Sequence, residues 1–316
     1  MPTYLHPPYL PPMWGHFTPT LEDVRNPARQ LPAAAARRTR FGRAARFRSE
    51  PPSRLSPTML SPQQVEEFET RGYTLAETTL SAQELDDAEA TWDRLMARSK
   101  GNRDTNSTPR GGEDEGYLRL ITHPFFEGVA KQMLRSDDVR LIELGANNRA
   151  PTGEPQASAE DQAKRWHGGA HIDLQITTAD FNATPRRDLL AMWFWISDVT
   201  PDHAAMRILP GSHLPVMQHW EETLGPERKL HLPRVHGLHP APSINYPSYP
   251  EYLPPHATLD YASHIPTPVA VKRGTAQVFT QAMLHSAWHN STTEPRKGFT
   301  ISWSALGVPI GFEAGT

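Results

Sequence analysis

Three side chains of this sequence have the types and the spacing of a metal site. His171 and Asp173 are separated by one residue in the stretch WHGGAHIDLQ, residues 166–175. If AHIDLQI is a strand, both side chains leave it on the same face, because side chains alternate along a strand. His285 lies between two further apolar runs and offers a second imidazole. Two histidines and one carboxylate on one side of a metal form the facial triad of non-heme Fe(II) oxygenases, which leaves positions open for a co-substrate and oxygen.

The residues just before this pair are interpreted as supporting parts of the site. Gly168 and Gly169 predict a sharp turn or a close approach of the backbone. His167, which precedes them, is interpreted as a residue of the site entrance rather than a ligand. A His-x-Asp pair alone is more often a surface pair or a hydrogen-bonded dyad than a metal site, so other motifs must decide.

The composition limits the ligands and partners of such a site. The 316 residues include no cysteine, which excludes disulfides, thiolate zinc sites and cysteine nucleophiles. Residues 1–56 carry nine arginines, no lysine and three acids, a net charge of +6, so the total of −3 leaves −9 for the remainder. No run approaches the roughly 18 apolar residues of a membrane span, and the start lacks a secretory pattern. We expect a cytoplasmic protein with a small-molecule substrate and with no nucleic-acid or membrane partner, and the oligomeric state stays open.

The chain is predicted to form an arm and one domain. Residues 1–56 contain ten prolines and no sustained periodicity, and are interpreted as a Pro/Arg-rich arm, with a transit peptide as the alternative. Residues 57–316 are interpreted as a single domain, with a helical lead-in over 57–138, a core over 139–306 and a lid insert over about 214–267. A connection this long inside a compact domain is usually a lid or a binding loop.

Local signals predict two helices and then a β-rich core. Ser61 with Pro62 and Gln64, and Ser81 with Glu84, are start signals of helices. Farther on, short runs rich in β-branched and aromatic residues alternate with Gly, Pro and polar turns. This pattern indicates a mainly β fold with flanking helices and a double-stranded β-helix core, that is, a cupin-like antiparallel jelly roll.

Four motifs follow one another along the predicted core. The His-x-Asp pair precedes a Trp-bearing strand, AMWFWISDV, and the turn MRILPGSH. His285 comes next, with Asn290 five residues and Arg296 eleven residues after it. In this order and spacing the chain resembles the phytanoyl-CoA dioxygenase family of Fe(II)- and 2-oxoglutarate-dependent oxygenases over roughly residues 58–306. The resemblance implies that the His-x-Asp pair and His285 bind Fe(II).

The resemblance also implies a pocket for the co-substrate. Arg296 would anchor the far carboxylate of 2-oxoglutarate, because its planar donors suit a carboxylate, and Trp193 would form a wall of the pocket. The family often has serine two residues after the distal histidine; that position is Ala287 here, and we expect the adjacent Ser286 to bind the co-substrate. Residues 202–204 read Asp-His-Ala where the family usually has Glu-Asn-Gly, so an altered turn is expected.

The implied reaction oxidises an unactivated C–H bond with O2 while 2-oxoglutarate becomes succinate and CO2. Hydroxylation is the most frequent outcome in the family, with desaturation, ring closure and rearrangement as variants, and the carboxylate of Asp173 disfavours halogenation. The predicted lid is rich in Tyr, His and Pro, which favours a medium-sized, partly apolar substrate such as a secondary metabolite. Asn147, Asn148 and Arg149 leave a predicted strand near the site and are candidates to contact it.

Two alternatives to an oxygenase stay open at this point. A cupin-like isomerase or hydrolase could use the same three ligands for another metal and would have no need of Arg296. A non-catalytic small-molecule binding module could use the same barrel, and its function would then survive the loss of Asp173.

Overall fold

The computed structural model describes eight stretches of the chain. They are residues 59–98, 114–173, 190–223, 244–247, 250–261, 264–280, 282–287 and 289–305. The predicted arm and a large part of the predicted lid lie outside them. The division into arm, lead-in, core and lid therefore stays a prediction.

The first helix begins and ends at the residues that the sequence predicts. In α1 (Pro62–Arg71) the Ser61 hydroxyl accepts a hydrogen bond from the backbone N–H of Gln64, and the Gln64 side chain accepts from the backbone N–H of Ser61. Pro62 fits the first helical position because no hydrogen bond needs its missing N–H. Gly72 ends the helix with φ 81°, a left-handed conformation that glycine adopts without strain. The chain then enters β1 (Tyr73–Glu77).

Three more helices lie in the described part of the predicted lead-in. In α2 (Ala82–Arg98) Ser81 and Glu84 exchange the same pair of capping bonds, as predicted. Asp114 caps α3 (Glu115–Ile121) and also binds Arg94 of α2 with an N–O distance of 2.6 Å, which joins the two helices. α4 (Pro124–Leu134) follows directly.

The remaining elements form most of the β-rich core. In chain order they are β2 (Val139–Arg149), α5 (Ala159–Gly169), β3 (His171–Ile172), β4 (Leu190–Trp195), β5 (Met206–Ile208), α6 (His213–Thr223), β6 (Ile244–Asn245), a 3-10 turn (Pro250–Tyr252), α7 (His256–Leu259), β7 (Pro268–Val269), β8 (Thr275–Thr280), β9 (His285–Ser286) and β10 (Arg296–Ala305).

These strands pair into two antiparallel sheets of five strands each. The first sheet has the order β1-β8-β4-β10-β2, and the second has the order β6-β3-β9-β5-β7. Strands adjacent in space are distant in the chain, which is typical of a jelly roll. The expected fold, mainly β with flanking helices and a double-stranded β-helix core, is confirmed.

Three buried clusters show which face of each sheet is covered. Helices α2 and α4 pack on the outer face of the first sheet, against residues such as Phe299 and Ile301 of β10. Helix α6 packs on the outer face of the second sheet, against Ile172 and Ile244. The third cluster, which includes Trp195 and Met206, lies between the sheets. Along each strand, residues that alternate with those of the outer clusters therefore turn their side chains toward the space between the sheets.

Strand β10 divides its side chains most clearly between the two faces. Phe299, Ile301 and Trp303 belong to the helix-covered cluster, whereas the intervening Thr300 and Ser302 are buried polar residues. On this strand the inner face thus carries hydroxyl groups beside the apolar third cluster, and a few polar groups in a mostly apolar lining are typical of a small-molecule site.

Within the described residues, the helices are too short or too polar to cross a membrane.

Candidate active site

His171 is held in the middle of a row of residues across the second sheet. It pairs with His285 of β9 on one side and with Asn245 of β6 on the other. Directly opposite residues of antiparallel strands share a face. Ile172, the next residue, packs into the outer cluster. Alternation therefore turns both imidazoles toward the space between the sheets.

The three predicted ligands converge. The carboxylate of Asp173 lies between the imidazoles, with its Oδ1 3.6 Å from His171 Nε2 and its Oδ2 3.4 Å from His285 Nε2. One ligand atom of each residue lies within 4.8 Å of the others. Two ligands at right angles, each about 2.1 Å from a metal, would be about 3 Å apart. The observed spacing therefore fits one shared metal ion.

The orientation of the two rings prepares their lone pairs for a cation. His171 Nδ1 is 2.8 Å from the carbonyl oxygen of Gly169, and His285 Nδ1 is 2.9 Å from that of Met283. A carbonyl only accepts hydrogen bonds, so each Nδ1 carries a proton and donates it. In the neutral rings each Nε2 then presents a lone pair to the Asp173 carboxylate. Three electron-pair donors that face one point require a proton or a metal ion between them.

The pKa values of the two histidines move in opposite directions. Burial and the positive charge of His285 lower the pKa of His171, and they outweigh Asp173 and the Gly169 carbonyl, which act in the opposite direction. Burial also disfavours the charged form of His285, but the Asp173 carboxylate and the Met283 carbonyl prevail and raise its pKa. The carboxylate is thus the group that attracts positive charge to this site.

Two local expectations about this region need correction. Strand β3 ends at Ile172, so Asp173 reaches the site from just beyond the strand instead of from within it. Gly168 and Gly169 do not form a sharp turn; they are the last residues of α5. A β-carbon at Gly168 would meet nothing within 4 Å, and one at Gly169 would make an ordinary contact, so neither position demands glycine. The helix ends there because the backbone extends at Ala170 to enter β3.

Arg296 is a buried cation on the inner face of the first sheet. Only 1% of its surface is exposed. Its guanidinium carbon lies 4.7 Å from the ring centroid of Trp195 and 5.2 Å from that of Trp193, and it donates a hydrogen bond to the carbonyl of Ala204. A β-carbon at Gly298 would lie 2.8 Å from the Trp195 ring, so the absence of a side chain there makes room for the indole. The indoles fix the guanidinium by cation–π contacts.

Gln277 adds a donor to the same corner of the barrel. It lies opposite Trp193 in the β4–β8 pair, and its Oε1 accepts a hydrogen bond of 3.3 Å from the Trp195 indole. Its Nε2 is buried and has no hydrogen-bond partner among the residues that the structure describes. A buried donor without a partner is costly unless a ligand satisfies it. Together with Arg296 it fits a carboxylate.

Ser286 does not join this corner. It follows His285 in a two-residue strand, so its side chain leaves the opposite face, and its hydroxyl donates to the carbonyl of Ala287. It pairs with Arg207, whose guanidinium donates to Pro266 and Gln162. The expectation that Ser286 binds the co-substrate is therefore not supported by its position.

The turn that departs from the family pattern supports the start of β10. His203 is buried, with Nδ1 2.8 Å from the Asp198 carbonyl and Nε2 2.9 Å from the Glu294 carbonyl. Ala204 has φ 53°, a left-handed conformation that explains why glycine is usual here. Its carbonyl receives the hydrogen bond from Arg296.

Sequence reasoning did not single out Gln277 or Asn245. A possible signal for Gln277 was a lone amide inside the apolar run AQVF, where a buried polar residue needs a partner. The two-residue strand that carries Asn245 leaves no periodic pattern. The other histidines in the neighbourhood have structural contacts, such as that of His213 with the carbonyl of Glu69.

Comparisons with known proteins address the fold and the family. The model of the family described as phytanoyl-CoA dioxygenase (PhyH) matches residues 58–298, which is more than half of the chain. No curated protein matches the sequence. Similarity to solved structures is low in sequence and extends over most of the fold.

Three solved structures illustrate this similarity. The epimerase SnoN, in complex with Fe3+, alpha ketoglutarate and nogalamycin RO, is 19% identical with a TM-score of 0.53, covering 80% of this chain and 91% of that chain. The carbocyclase SnoK from nogalamycin biosynthesis is 16% identical with a TM-score of 0.54, covering 83% and 92%. EctD from S. alaskensis with bound Fe is 16% identical with a TM-score of 0.54, covering 83% and 84%. Because the family model matches over residues 58–298, the chain belongs to the phytanoyl-CoA dioxygenase family.

Proposed function

We propose that this protein oxidises an unactivated C–H bond of a small molecule, most simply by hydroxylation, and releases succinate and CO2. As a member of its family it is a 2-oxoglutarate-dependent non-heme iron oxygenase, with Fe(II), 2-oxoglutarate and O2 as the reaction partners. The observation that carries the proposal is the convergence of two Nε2 lone pairs and one carboxylate on a single point. The cytoplasmic location of the protein stays a prediction from the sequence.

The proposed metal ligands are His171, Asp173 and His285. Fe(II) held there would supply the activation of O2 that couples oxidation of the keto acid to oxidation of the second substrate. The protein's own part is to hold the two rings by their Nδ1–H bonds to backbone carbonyls, so that neither imidazole has to reorient to accept the metal.

The proposed co-substrate pocket is the corner formed by Arg296, Gln277, Trp193 and Trp195. The guanidinium and the buried amide of Gln277 would both donate to the far carboxylate of 2-oxoglutarate, and the indoles would form walls that exclude water. Charge-assisted hydrogen bonds in such a dry pocket are stronger than neutral ones. In this chain Gln277 is proposed to provide the donor that Ala287 lacks.

The substrate is proposed to be a small molecule of secondary metabolism. SnoN binds nogalamycin RO and SnoK belongs to nogalamycin biosynthesis, and both share this fold. SnoN is an epimerase and SnoK is a carbocyclase, so the fold serves more than one reaction. We propose hydroxylation rather than epimerisation or ring closure because it requires only that a C–H bond of the substrate lie next to the metal.

The experiment that tests this function is an anaerobic titration of the metal-free protein with Fe(II) and 2-oxoglutarate. A weak visible charge-transfer band of a chelated keto acid is expected. Asp173→Ala should lose the band because it removes a ligand, whereas Arg296→Lys should keep metal binding and need more 2-oxoglutarate to develop the band. Circular dichroism checks that each variant is folded.

Other results would favour the alternatives. Metal binding without a band in the wild-type protein would favour a cupin-like hydrolase or isomerase. No metal binding at all would favour a binding module.

A further inference from the structure

Arg149 stands across the sheet from the proposed co-substrate anchor. It is the last residue of β2 and pairs directly with Arg296 of β10. Opposite residues of antiparallel strands share a face. Asn147, two residues earlier, already faces inward, since its amide donates to the Thr300 hydroxyl. The side chain of Arg149 is therefore directed to the inside of the barrel.

The backbone of Arg149 is fixed by the loop between the distal histidine and Arg296. The buried amide of Asn290 donates to the Arg149 carbonyl at 2.8 Å. The carbonyl of Asn290 in turn accepts from the backbone N–H of Thr152 at 2.9 Å. Asn290 thus ties the end of β2 to the segment that connects the two proposed sites. A cation mounted on such a fixed strand end is pre-organised for binding.

The register of the first sheet, rather than a direct contact, places Arg149: it lies opposite Arg296 at the end of β2. Unlike the fully buried Arg296, Arg149 is only half-buried. Part of the Arg149 side chain is therefore exposed to solvent.

Asn245 lies next to the proposed metal ligands on the second sheet. It lies directly opposite His171 in the β3–β6 pair, so the row Asn245, His171, His285 runs across the inner face of the second sheet. Opposite residues have β-carbons about 5 Å apart. An amide from the predicted lid insert thus borders the proposed metal ligands.

We propose that Arg149 and Asn245 form the subsite for the oxidised substrate, and that this substrate carries an anionic group, a carboxylate or a phosphate, which pairs with Arg149. The inference rests on the proposed function and names the chemistry of its substrate. The guanidinium offers paired planar donors that match an oxyanion. Asn245 would hold a polar group of the substrate and so direct one carbon toward the metal. The two arginines would then sort two anions, the keto acid at Arg296 and the substrate at Arg149.

The test measures charge preference with small probes of one size class. Protein loaded with Zn(II) and saturating 2-oxoglutarate is titrated, by ligand-observed NMR, with phenylacetate, cyclohexanecarboxylate and phenyl phosphate, and with the carboxamides of the two acids. We expect the anions to bind about tenfold or more tightly than the amides, since a charge-assisted pair is worth about 1.5–3 kcal/mol. The ranking of carboxylates against phenyl phosphate identifies the type of anion.

Variants of Arg149 assign that preference. Arg149→Gln should abolish it, Arg149→Lys should keep part of it, and Arg119→Gln should leave it unchanged, because Arg119 is an exposed helix residue paired with Glu115. Asn245→Ala should weaken the binding of anions and of amides alike by a few fold, because it removes no charge.

Three results would overturn the inference. The first is an absence of preference in the wild-type protein, whether both members of a pair bind or neither does. The second is a preference that survives Arg149→Gln. The third is loss of the Fe(II)–2-oxoglutarate band in Arg149→Gln, which would assign Arg149 to the co-substrate. A missing band in the wild-type protein would instead refute the proposed function, and the NMR result would stand apart from it.

Discussion

At the scale of single residues, the candidate site depends on hydrogen bonds that leave selected atoms open. The Nδ1 atoms of His171 and His285 are occupied by carbonyls, and the Oε1 atom of Gln277 is occupied by an indole. The groups left facing inward are the Nε2 lone pairs of the two histidines and the amide NH2 of Gln277. The first two suit a metal ion and the third suits a carboxylate.

This division predicts a specific effect of Gln277→Leu. The variant keeps the size of the side chain and removes the buried donor, so the KM for 2-oxoglutarate should rise about tenfold, as expected for one lost hydrogen bond to a charged group. Binding of Fe(II) alone should not change. Steady-state kinetics of succinate formation and a metal titration provide the two measurements, and an unchanged KM would show that the amide does not contact the co-substrate.

Gly298 gives a second residue-scale prediction. In Gly298→Ala the new methyl group would crowd the Trp195 ring at 2.8 Å and the Phe194 carbonyl at 3.0 Å. The Trp195 indole must then shift, and its contact with the Arg296 guanidinium changes as a result. We expect a higher KM for 2-oxoglutarate together with a loss of about 1–3 kcal/mol in the free energy of unfolding, measured by urea denaturation. Normal values of both would mean that the strands separate easily at this point.

The sequence was sufficient to name the residues that carry a family motif and insufficient for those set by register. His171, Asp173 and His285 come together as expected, and Arg296 is buried beside Trp193 as expected. The face of Ser286 could not be predicted, because it depends on where the two-residue strand β9 begins, and its role stays a prediction that its position does not favour. Asn245 depends on which residue of a distant segment pairs with His171, and no local pattern contains that information.

At the scale of elements, local chemistry decides where helices begin, and tertiary contacts decide where short strands form. The capping residues of α1 and α2 satisfy orphan N–H groups within four residues, so their starts could be predicted. Strands β3, β6 and β9 have two residues each. Such strands form only because their neighbours supply the other half of each ladder.

The capping of α3 allows a test at this scale. Asp114→Ala removes both the cap and the partner of Arg94, and should lower the free energy of unfolding by about 1–3 kcal/mol. Asp114→Asn is the control that retains a capping oxygen and loses the charge. Its free energy of unfolding should lie between those of the wild-type protein and Asp114→Ala. Urea denaturation at neutral pH measures the differences, and equal stability of all three proteins would show that α2 and α3 are held by packing alone.

The same carboxylate predicts how stability responds to acid. The Arg94 side chain, opposed by burial and aided by the N–H groups of α3, lowers the pKa of Asp114 below its ordinary 3.8. Because the folded pKa is lower than the unfolded one, this stabilisation is fully present above pH 3.8 and is lost as the pH falls through the folded value. The stability gap between the wild-type protein and Asp114→Asn should therefore close in acid.

The turn before β5 offers an opposite, stabilising change. Ala204 adopts φ 53°, which costs an L-residue roughly 1 kcal/mol. Ala204→Gly relieves this strain and keeps the carbonyl that receives the Arg296 hydrogen bond. The free energy of unfolding should rise by up to about 1 kcal/mol, because the greater freedom of glycine in the unfolded chain offsets part of the gain. A loss of stability would indicate that the methyl group packs usefully.

At the scale of the whole molecule, the proposed ligands connect the two sheets. The metal ligands are held on or next to the second sheet, and Arg296 and Gln277 belong to the first. A keto acid that chelates the metal and reaches Arg296 would therefore span the barrel from sheet to sheet. The jelly roll would be stabilised as one unit rather than at one edge.

Thermal unfolding with and without these ligands tests this consequence. Fe(II) and 2-oxoglutarate together, each at about a hundred times its Kd, should stabilise the protein by about 2.7 kcal/mol or more through mass action. In Asp173→Ala the shift should vanish. Differential scanning calorimetry under anaerobic conditions measures it, and a shift from 2-oxoglutarate alone would show that the keto acid binds without the metal.

The alternation along β10 has a consequence for how this protein can change over generations. Phe299 and Ile301 are held by the helices, so substitutions there are selected by whether the chain folds. Their neighbours Thr300 and Ser302 face the inside of the barrel, so we expect substitutions there to be selected by what the barrel binds. Adjacent codons of one strand are therefore exposed to different selection. A lineage can exchange one substrate for another through single steps on the inner face while it inherits the outer face unchanged.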